Sequence, residues 1–197
     1  MPEYNAPLRD MRFVMDELLD MTGSYAAYGL EDATPDLVSA ILEEGAKFTN
    51  QVLSPLNRTG DEEGCHIENG VVTTPKGFKE AYQAYCENGW GSMTASPEYG
   101  GQGLPSSLGL IIAEMVASAN YSFSMYPGLS HGCAAAIAAH GTNEQKAAAQ
   151  AALAAGFGIA IAYMAAKAGK FDAKDIEELK KAAEETGKFS EEEMKTE

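Results

Sequence analysis

The fold of this chain is decided by one apolar stretch, residues 108–126, which reads LGLIIAEMVASANYSFSMY. Its apolar residues are spaced too closely for a one-sided surface helix, which favours a helix buried on most of its faces. Pro127 and Gly128 come next and predict an interruption, after which helix formation resumes over Leu129–His140. A buried helix needs other helices around it, and the rest of the chain must supply them.

Two helices are expected in the first 55 residues. Residues Leu8–Met21 carry one apolar stripe, and Gly23 predicts a stop after them. The second helix begins where the hydroxyl of Thr34 precedes a proline and an acid, and its apolar spacing continues to a predicted break at Pro55.

A different pattern separates these helices from the central stretch. Asn69-Gly70 is followed by four β-branched residues, which predicts one small β-hairpin near residues 65–74. Thr74-Pro75 is expected to end the hairpin by capping the next helix, which closes near Gly89. The stretch Thr94–Pro105, rich in glycine and proline, predicts a loop.

The pattern along the chain indicates one fold class. Thr142–Gln145 is a capping box that opens a further helix. There is no internal repeat and no alternation of strand and helix. We therefore expect an all-α fold, a helical bundle of about six to eight helices with one small β-hairpin near residues 65–74.

Composition changes after Lys146. Between Ala147 and Ala168, 12 of 22 residues are alanine, and from Asp172 onward glutamate, lysine and alanine dominate. Both compositions favour helix, and Ser190–Glu193 is a second capping box. We therefore divide the chain into a helical domain, 1–146, and an Ala/Glu/Lys-rich helical tail, 147–197.

Charge and cysteine usage exclude several classes of partner. The chain has 14 Lys and Arg against 29 Asp and Glu, a net charge of -15, which disfavours nucleic acids and anionic membranes. Cys65, Cys86 and Cys133 form no C-x-x-C pair, and no signal peptide opens the chain. A reduced, cytoplasmic protein without a membrane span is expected.

Few residues are candidates for chemistry. Gly100–Gly103 lacks a preceding strand and a complete phosphate-loop pattern, so a tight turn is favoured over nucleotide binding. His66, His131 and His140 are not at metal-ligand spacing, and no metal site is expected. For His131, a satisfied core histidine is favoured over a catalytic base. Ser130-His131 has no assignable third member, which argues against a hydrolase.

A stripe of small residues is more informative. Ser124, Gly128, Gly132 and Ala135 recur at three- and four-residue spacing and therefore share one helix face. Such a face either lets another helix approach closely or leaves a groove for a slender ligand. Spacing alone favours close helix packing.

Three stretches, in this order, carry a resemblance to a known family: Tyr4–Glu17, Gly89-Trp90-Gly91 with Pro97–Gly103, and His140–Lys146. Together they resemble the N-terminal helical domain of the acyl-CoA dehydrogenase family over residues 4–146. The first stretch is similar to the branch that includes the 3-methylmercaptopropionyl-CoA dehydrogenases.

The resemblance implies FAD-dependent α,β-dehydrogenation of an acyl-CoA thioester, in which a carboxylate removes the α proton and the flavin accepts the hydride. It also implies residues that line the acyl chain of the substrate, which reverses the preference for close helix packing. These residues are Ser124, Met125, Gly128, Leu129 and Gly132.

The resemblance ends at Lys146, where the β domain and the domain with the catalytic glutamate are expected in the family. It therefore implies no catalytic residue here, no retained FAD and at most weak acyl-CoA binding. Glu114 is not assigned as the base, because in the family that role belongs to the missing domain. Cofactor-binding residues and a homo-oligomeric state stay open. Two alternatives remain: a non-catalytic helical module, natural or engineered, and a stand-alone acyl-chain-binding domain.

Overall fold

A computed structural model of the chain describes residues 3–99, 101–146 and 149. In this part of the chain there are seven α-helices and one two-stranded antiparallel sheet, which confirms the all-α class with a small hairpin. The helices are α1 (Leu8–Arg12), α2 (Met21–Ala27), α3 (Pro35–Phe48), α4 (Ser54–Glu63), α5 (Phe78–Glu87), α6 (Ser106–Ala119) and α7 (Tyr121–His140). The strands are β1 (His66–Glu68) and β2 (Val71–Thr73). Two π-helical segments, Phe13–Leu18 and Thr49–Leu53, and two short 3-10 turns, Trp90–Ser92 and Pro97–Tyr99, complete the described elements.

The first predicted helix is two helices. The chain leaves helical geometry after the π-helical segment that follows α1, and Asp20 adopts a left-handed backbone with φ of 44° before α2 begins. Gly23 lies inside α2, so the predicted stop at this residue is wrong. A Cβ at Gly23 would collide with the carboxylate of Asp20, which explains the glycine beside this turn.

Helices α3 and α4 form one continuous helical segment through the π-helical turn between them. It starts as predicted, with the hydroxyl of Thr34 accepting a hydrogen bond from the backbone N–H of Leu37 at 3.3 Å. The break predicted at Pro55 is wrong, because α4 continues past it to Glu63. The proline lies in the first turn of α4, directly after the π-helical turn, where a missing N–H and a bulky ring are tolerated best.

The predicted β-hairpin is confirmed. Asn69 and Gly70 have φ of 52° and 81°, the left-handed pair that a two-residue turn between twisted strands requires. The prediction that Thr74-Pro75 caps the next helix is wrong. Helix α5 starts at Phe78, because Gly77, with φ of 85°, must first turn the chain.

The central apolar stretch is also two helices. Helix α6 ends at Ala119, Asn120 is extended with φ of -155° and ψ of 94°, and α7 starts one residue later. Asn120 is fully buried, and its side-chain oxygen accepts a hydrogen bond from the backbone N–H of Phe123. The interruption predicted at Pro127 is wrong, since α7 continues through that residue. Asn120 separates the two helices because its side chain caps the start of α7. Pro127 costs α7 one backbone hydrogen bond, and the packing of the helix offsets this cost.

Helix α6 is buried on one side rather than on most faces. Leu108, Ile112 and Met115 are at most 3% exposed, whereas Leu110 is 72% exposed and Glu114 also faces solvent. The expectation of a helix buried on most faces is therefore wrong. The exposed side of α6 carries more apolar residues than the exposed side of a typical surface helix. The sequence therefore did not show the one-sided pattern of burial.

One hydrophobic core holds the helices together. Its most buried apolar side chains come from different elements and are each at most 2% exposed: Met15, Leu42, Leu53, Leu108, Met115 and Phe123. The ring of Phe123 lies between 5.9 and 6.3 Å, centroid to centroid, from those of Phe78, Tyr82, Tyr85 and Tyr126. These aromatic contacts anchor α7 to α5.

The capping box after α7 is confirmed. The backbone N–H of Thr142 donates to Oε1 of Gln145 at 2.9 Å, and the N–H of Gln145 donates to the Thr142 hydroxyl at 3.3 Å. Residues 143–146 are helical, and Ala149 is buried near Ala134. The remaining predictions for residues 147–197, including the second capping box, lie outside the described residues.

Candidate functional site

Helix α7 presents two different faces. The buried residues are spaced four, three and four apart and face the core: Phe123, Pro127, Ser130 and Ala134. The five residues predicted to line an acyl chain lie on the remaining side, where the first is half-buried and the others are exposed: Ser124, Met125, Gly128, Leu129 and Gly132. We call this surface the outward face of α7.

Gly128 and Gly132 leave the outward face bare. A Cβ built at either residue finds no heavy atom of the described residues within 4 Å. By contrast, a Cβ at Gly45 would lie 2.6 Å from Cδ1 of Ile112, so that glycine permits close contact between α3 and α6. The close helix packing that spacing alone favours is therefore not made at Gly128 or Gly132 by the described residues.

A row of large apolar side chains borders the bare positions. Tyr121, Met125 and Leu129 are 68%, 47% and 61% exposed and follow one another at four-residue intervals. The small residues from Ser124 to Gly132 have the same spacing, so two rows run side by side along the helix. The bare row spans about 12 Å at 1.5 Å per residue. The row from Ser124 to Gly132 is therefore a strip without side-chain bulk, bordered on one side by the large apolar row. We call this strip the furrow, and its shape suits a slender apolar group.

The only hydroxyl on the outward face bonds within its own helix. The Oγ of Ser124 donates to the backbone carbonyl of Tyr121 at 2.7 Å. Because this proton is already used, the hydroxyl does not add an unpaired donor to an apolar surface. An apolar ligand would therefore meet little penalty for covering it.

His131 borders the outward face. It is half-buried, and no hydrogen bond from a described residue reaches its ring, so the satisfied core histidine stays a prediction. Burial lowers the pKa of His131 and favours the neutral imidazole. The hydroxyl of Ser130 donates to the carbonyl of Tyr126 at 3.3 Å, so Ser130 and His131 do not form a nucleophile–base pair.

The other singled-out ionisable residues lie away from this surface or face solvent. His66 is exposed on β1, and His140 is the last residue of α7. Glu114 is exposed on α6. Its charge is the second cause, after burial of the phenol, that raises the pKa of Tyr4. Neither its exposed place on α6 nor its effect on Tyr4 assigns Glu114 a catalytic role.

The glycine-rich turn is used for folding. All three backbone N–H groups of residues 101–103 donate to backbone carbonyls of residues 92–96, at 2.9 to 3.1 Å. A Cβ at Gly101 would overlap with the backbone of Ala95. A phosphate cradle needs free N–H groups, so the described part of this turn acts as the predicted tight loop.

Sequence reasoning missed one cleft. It has a volume of about 500 Å³ and lies between α3 and the segment after α5, where Ile41, Phe48, Trp90 and Gln102 contribute to its lining. The indole N–H of Trp90 is buried without a hydrogen-bond partner in the described part of the chain, which is uncommon. Residues so far apart in sequence are brought together only by folding, so no local pattern could indicate the cleft.

Comparison with known families decides the kinship of this fold. The family model described as the acyl-CoA dehydrogenase N-terminal domain matches residues 38–157, which begin inside α3 and contain α4 to α7 and the whole outward face. The chain belongs to the acyl-CoA dehydrogenase family. The resemblance inferred from the sequence is thereby confirmed.

Two relatives within this family show how far the similarity extends. The chain is 37% identical over 149 residues to a 3-methylmercaptopropionyl-CoA dehydrogenase of Ruegeria pomeroyi. It is 30% identical over 152 residues to a butyryl-CoA dehydrogenase of Syntrophomonas wolfei. Each match covers 73% of this chain and 24% of the relative. The chain therefore spans about a quarter of the length of these acyl-CoA dehydrogenases.

In this acyl-CoA dehydrogenase family member the N–H groups of residues 101–103 are already paired, so this turn does not fit the pyrophosphate of a flavin nucleotide. Across the described residues, no three His, Cys, Asp or Glu residues are grouped so that they could hold a metal ion. None of the described helices combines the length and apolar character needed to cross a membrane.

Proposed function

We propose that the outward face of α7 forms one wall of the acyl-chain pocket of an acyl-CoA dehydrogenase. Ser124, Met125, Gly128, Leu129 and Gly132 would contact the acyl chain. The observation that carries the proposal is the bare surface at Gly128 and Gly132, where no described atom lies within 4 Å of a built Cβ. A monomeric protein rarely leaves an apolar surface uncovered unless a ligand or partner covers it.

The reaction of the whole protein is proposed from kinship. Family membership supports FAD-dependent α,β-dehydrogenation of an acyl-CoA thioester. The N–H groups of residues 101–103 are already paired, and none of the five residues of the outward face is a carboxylate, so we assign this chain the role of substrate wall and not of catalyst. The division at Lys146 and a cytoplasmic location stay predictions.

Binding of octanoyl-CoA tests the proposed wall. We expect saturable heat in isothermal titration calorimetry with octanoyl-CoA and none with free CoA, since the furrow would recognise the acyl chain. Gly128→Leu should abolish the octanoyl-CoA signal because its side chain fills the furrow. Ala113→Leu adds similar bulk at an exposed position of α6 and should leave binding unchanged.

The outcomes separate the possible roles of the chain. Binding that persists in Gly128→Leu would refute the assignment of the furrow. No binding by the folded wild-type chain would favour a non-catalytic helical module.

A visible spectrum recorded after mixing with FAD and gel filtration tests the cofactor assignment. We expect no retained flavin absorbance. Retained flavin that bleaches on addition of acyl-CoA would contradict this expectation and assign catalysis to the chain.

A further inference from the structure

Asn120 uses every polar group that it has. Its backbone N–H donates to the carbonyl of Val116 at 2.9 Å, and its carbonyl accepts from the N–H of Ser124 at 3.1 Å. Its side-chain oxygen accepts from the N–H of Phe123 at 3.0 Å, and its side-chain NH₂ donates to the carbonyl of Leu53 at 3.3 Å. The two side-chain partners differ in kind, which defines the orientation of the amide.

This residue is also the whole connection between α6 and α7. Helix α6 ends at Ala119 and α7 begins at Tyr121, so the backbone angles of Asn120 set the angle between the two helices. Asn120 is 0% exposed, and a buried amide that lost a partner would leave an unpaired polar group. Its bonds therefore restrict the direction in which α7 leaves the core.

The bond to Leu53 connects α7 to a second part of the chain. Leu53 is the last residue of the π-helical turn between α3 and α4. The same region binds the N-terminal segment: the side-chain oxygen of Asn50 accepts from the N–H of Ala6 at 2.9 Å, and the hydroxyl of Ser54 accepts from the N–H of Tyr4 at 3.0 Å. The start of α7 is thus fixed to a turn that is itself held on another side.

We infer that Asn120 is a positioning residue for the acyl-chain wall: its side chain connects the start of α7 to the carbonyl of Leu53 and so sets where the outward face lies. This inference rests on the proposed function for its link to substrate. Asn120 itself is buried and does not belong to the outward face. Ser124, the first residue of that face, is bonded directly to the backbone carbonyl of Asn120.

Two variants separate the connection to Leu53 from the helix cap. Asn120→Ser keeps an oxygen that can accept from Phe123, because serine is a good N-cap, but it lacks the donor to Leu53. Asn120→Asp keeps the cap oxygen and nearly the same volume, and it regains a donor only when the carboxyl is protonated. Thr34→Ala is the matched control, since it removes the N-cap of α3 and leaves the α6–α7 connection intact.

The first measurement requires no ligand. Trp90 is the only tryptophan, so energy transfer from it to a probe on Ala139→Cys, with the three native cysteines replaced by serine, reports the position of α7. We expect Asn120→Ser to shift or broaden the transfer distance and Thr34→Ala to leave it unchanged. Circular dichroism checks that each variant is folded. A folded Asn120→Ser protein with the unaltered distance would overturn the inference.

The second measurement is the affinity for octanoyl-CoA. Residues that act on a site without touching the ligand typically change affinity by about three- to thirtyfold, and we expect a loss in that range for Asn120→Ser. Asn120→Asp should lose affinity at neutral pH and recover it as the pH is lowered. Thr34→Ala should lose thermal stability because it lacks a helix cap, but it should bind octanoyl-CoA as wild type does.

If wild-type protein binds and both Asn120 variants bind equally well, the inference is wrong and the proposed function stands. If wild-type protein does not bind, the proposed function fails, and the distance measurement still decides whether Asn120 sets the position of α7. If Asn120→Ser does not fold, the distance and affinity of Asn120→Asp decide in its place.

Discussion

Two helix surfaces of this protein contain glycine and differ in what lies opposite it in the fold. On α3, Gly45 is buried, and a Cβ there would press on the Ile112 side chain of α6. On α7, Gly128 and Gly132 are exposed, and no described atom approaches them. The first surface lacks a side chain at Gly45 because the neighbouring helix α6 occupies that space. Among the described residues the second surface has no such neighbour, and the ligand groove proposed above would explain the absence of bulk there.

The largest expected contrast is between the two faces of α7. Phe123→Ala removes a ring that is 0% exposed and in contact with four aromatic residues, and should lower the free energy of unfolding by about 3–5 kcal/mol. Leu129→Ala, on the outward face, should change it by less than about 0.5 kcal/mol. Urea unfolding followed by circular dichroism measures both. A large loss for Leu129→Ala would mean that the outward face is covered within the folded chain.

The same substitution at two glycines sharpens the comparison. Gly45→Leu overfills the contact between α3 and α6 and should cost about 1–3 kcal/mol. Gly128→Leu should instead stabilise the protein, by up to about 1 kcal/mol, because leucine has the higher helix propensity. Thermal unfolding of the two variants beside wild type gives the signs. Equal destabilisation would show that Gly128 is packed like Gly45.

The smallest expected effect is the pH dependence of stability that comes from His131, at the border between the two faces of α7. Burial lowers the pKa of His131 below the ordinary value of 6.5, so the unfolded chain binds a proton that the folded chain resists. The free energy of unfolding should therefore be independent of this group above pH 6.5, fall as the pH drops from 6.5 to the lower, folded pKa, and level off below it. His131→Gln should flatten part of this fall, measured by urea unfolding at several pH values. His66→Gln, on the exposed hairpin, is the control; an equal effect there would remove the role of burial.

Local signals predicted the elements that depend on neighbours in sequence. The Asn69-Gly70 turn, the Thr34 cap of α3 and the capping box of Thr142 and Gln145 all form as expected. Each is decided by the backbone angles that a residue tolerates or by a side chain that reaches the next turn, and neither requires a distant partner.

Helix breaks could not be predicted in this way. Pro55 and Pro127 are the strongest breakers by sequence, yet both lie inside helices. The break between α6 and α7 falls at Asn120, whose amide donates to Leu53, 67 residues away in the chain. The cap that Asn120 gives to Phe123 is a local signal, but the contact of its amide with Leu53 is visible only in the fold.

The sequence by itself determined that this protein is a helical bundle with one hairpin and a member of the acyl-CoA dehydrogenase family, because periodicity, caps and ordered motifs are local or linear properties. Only the tertiary structure decided which small residues pack against a neighbour and which remain bare. That distinction depends on what lies opposite each glycine, and elements distant in sequence supply or withhold those atoms.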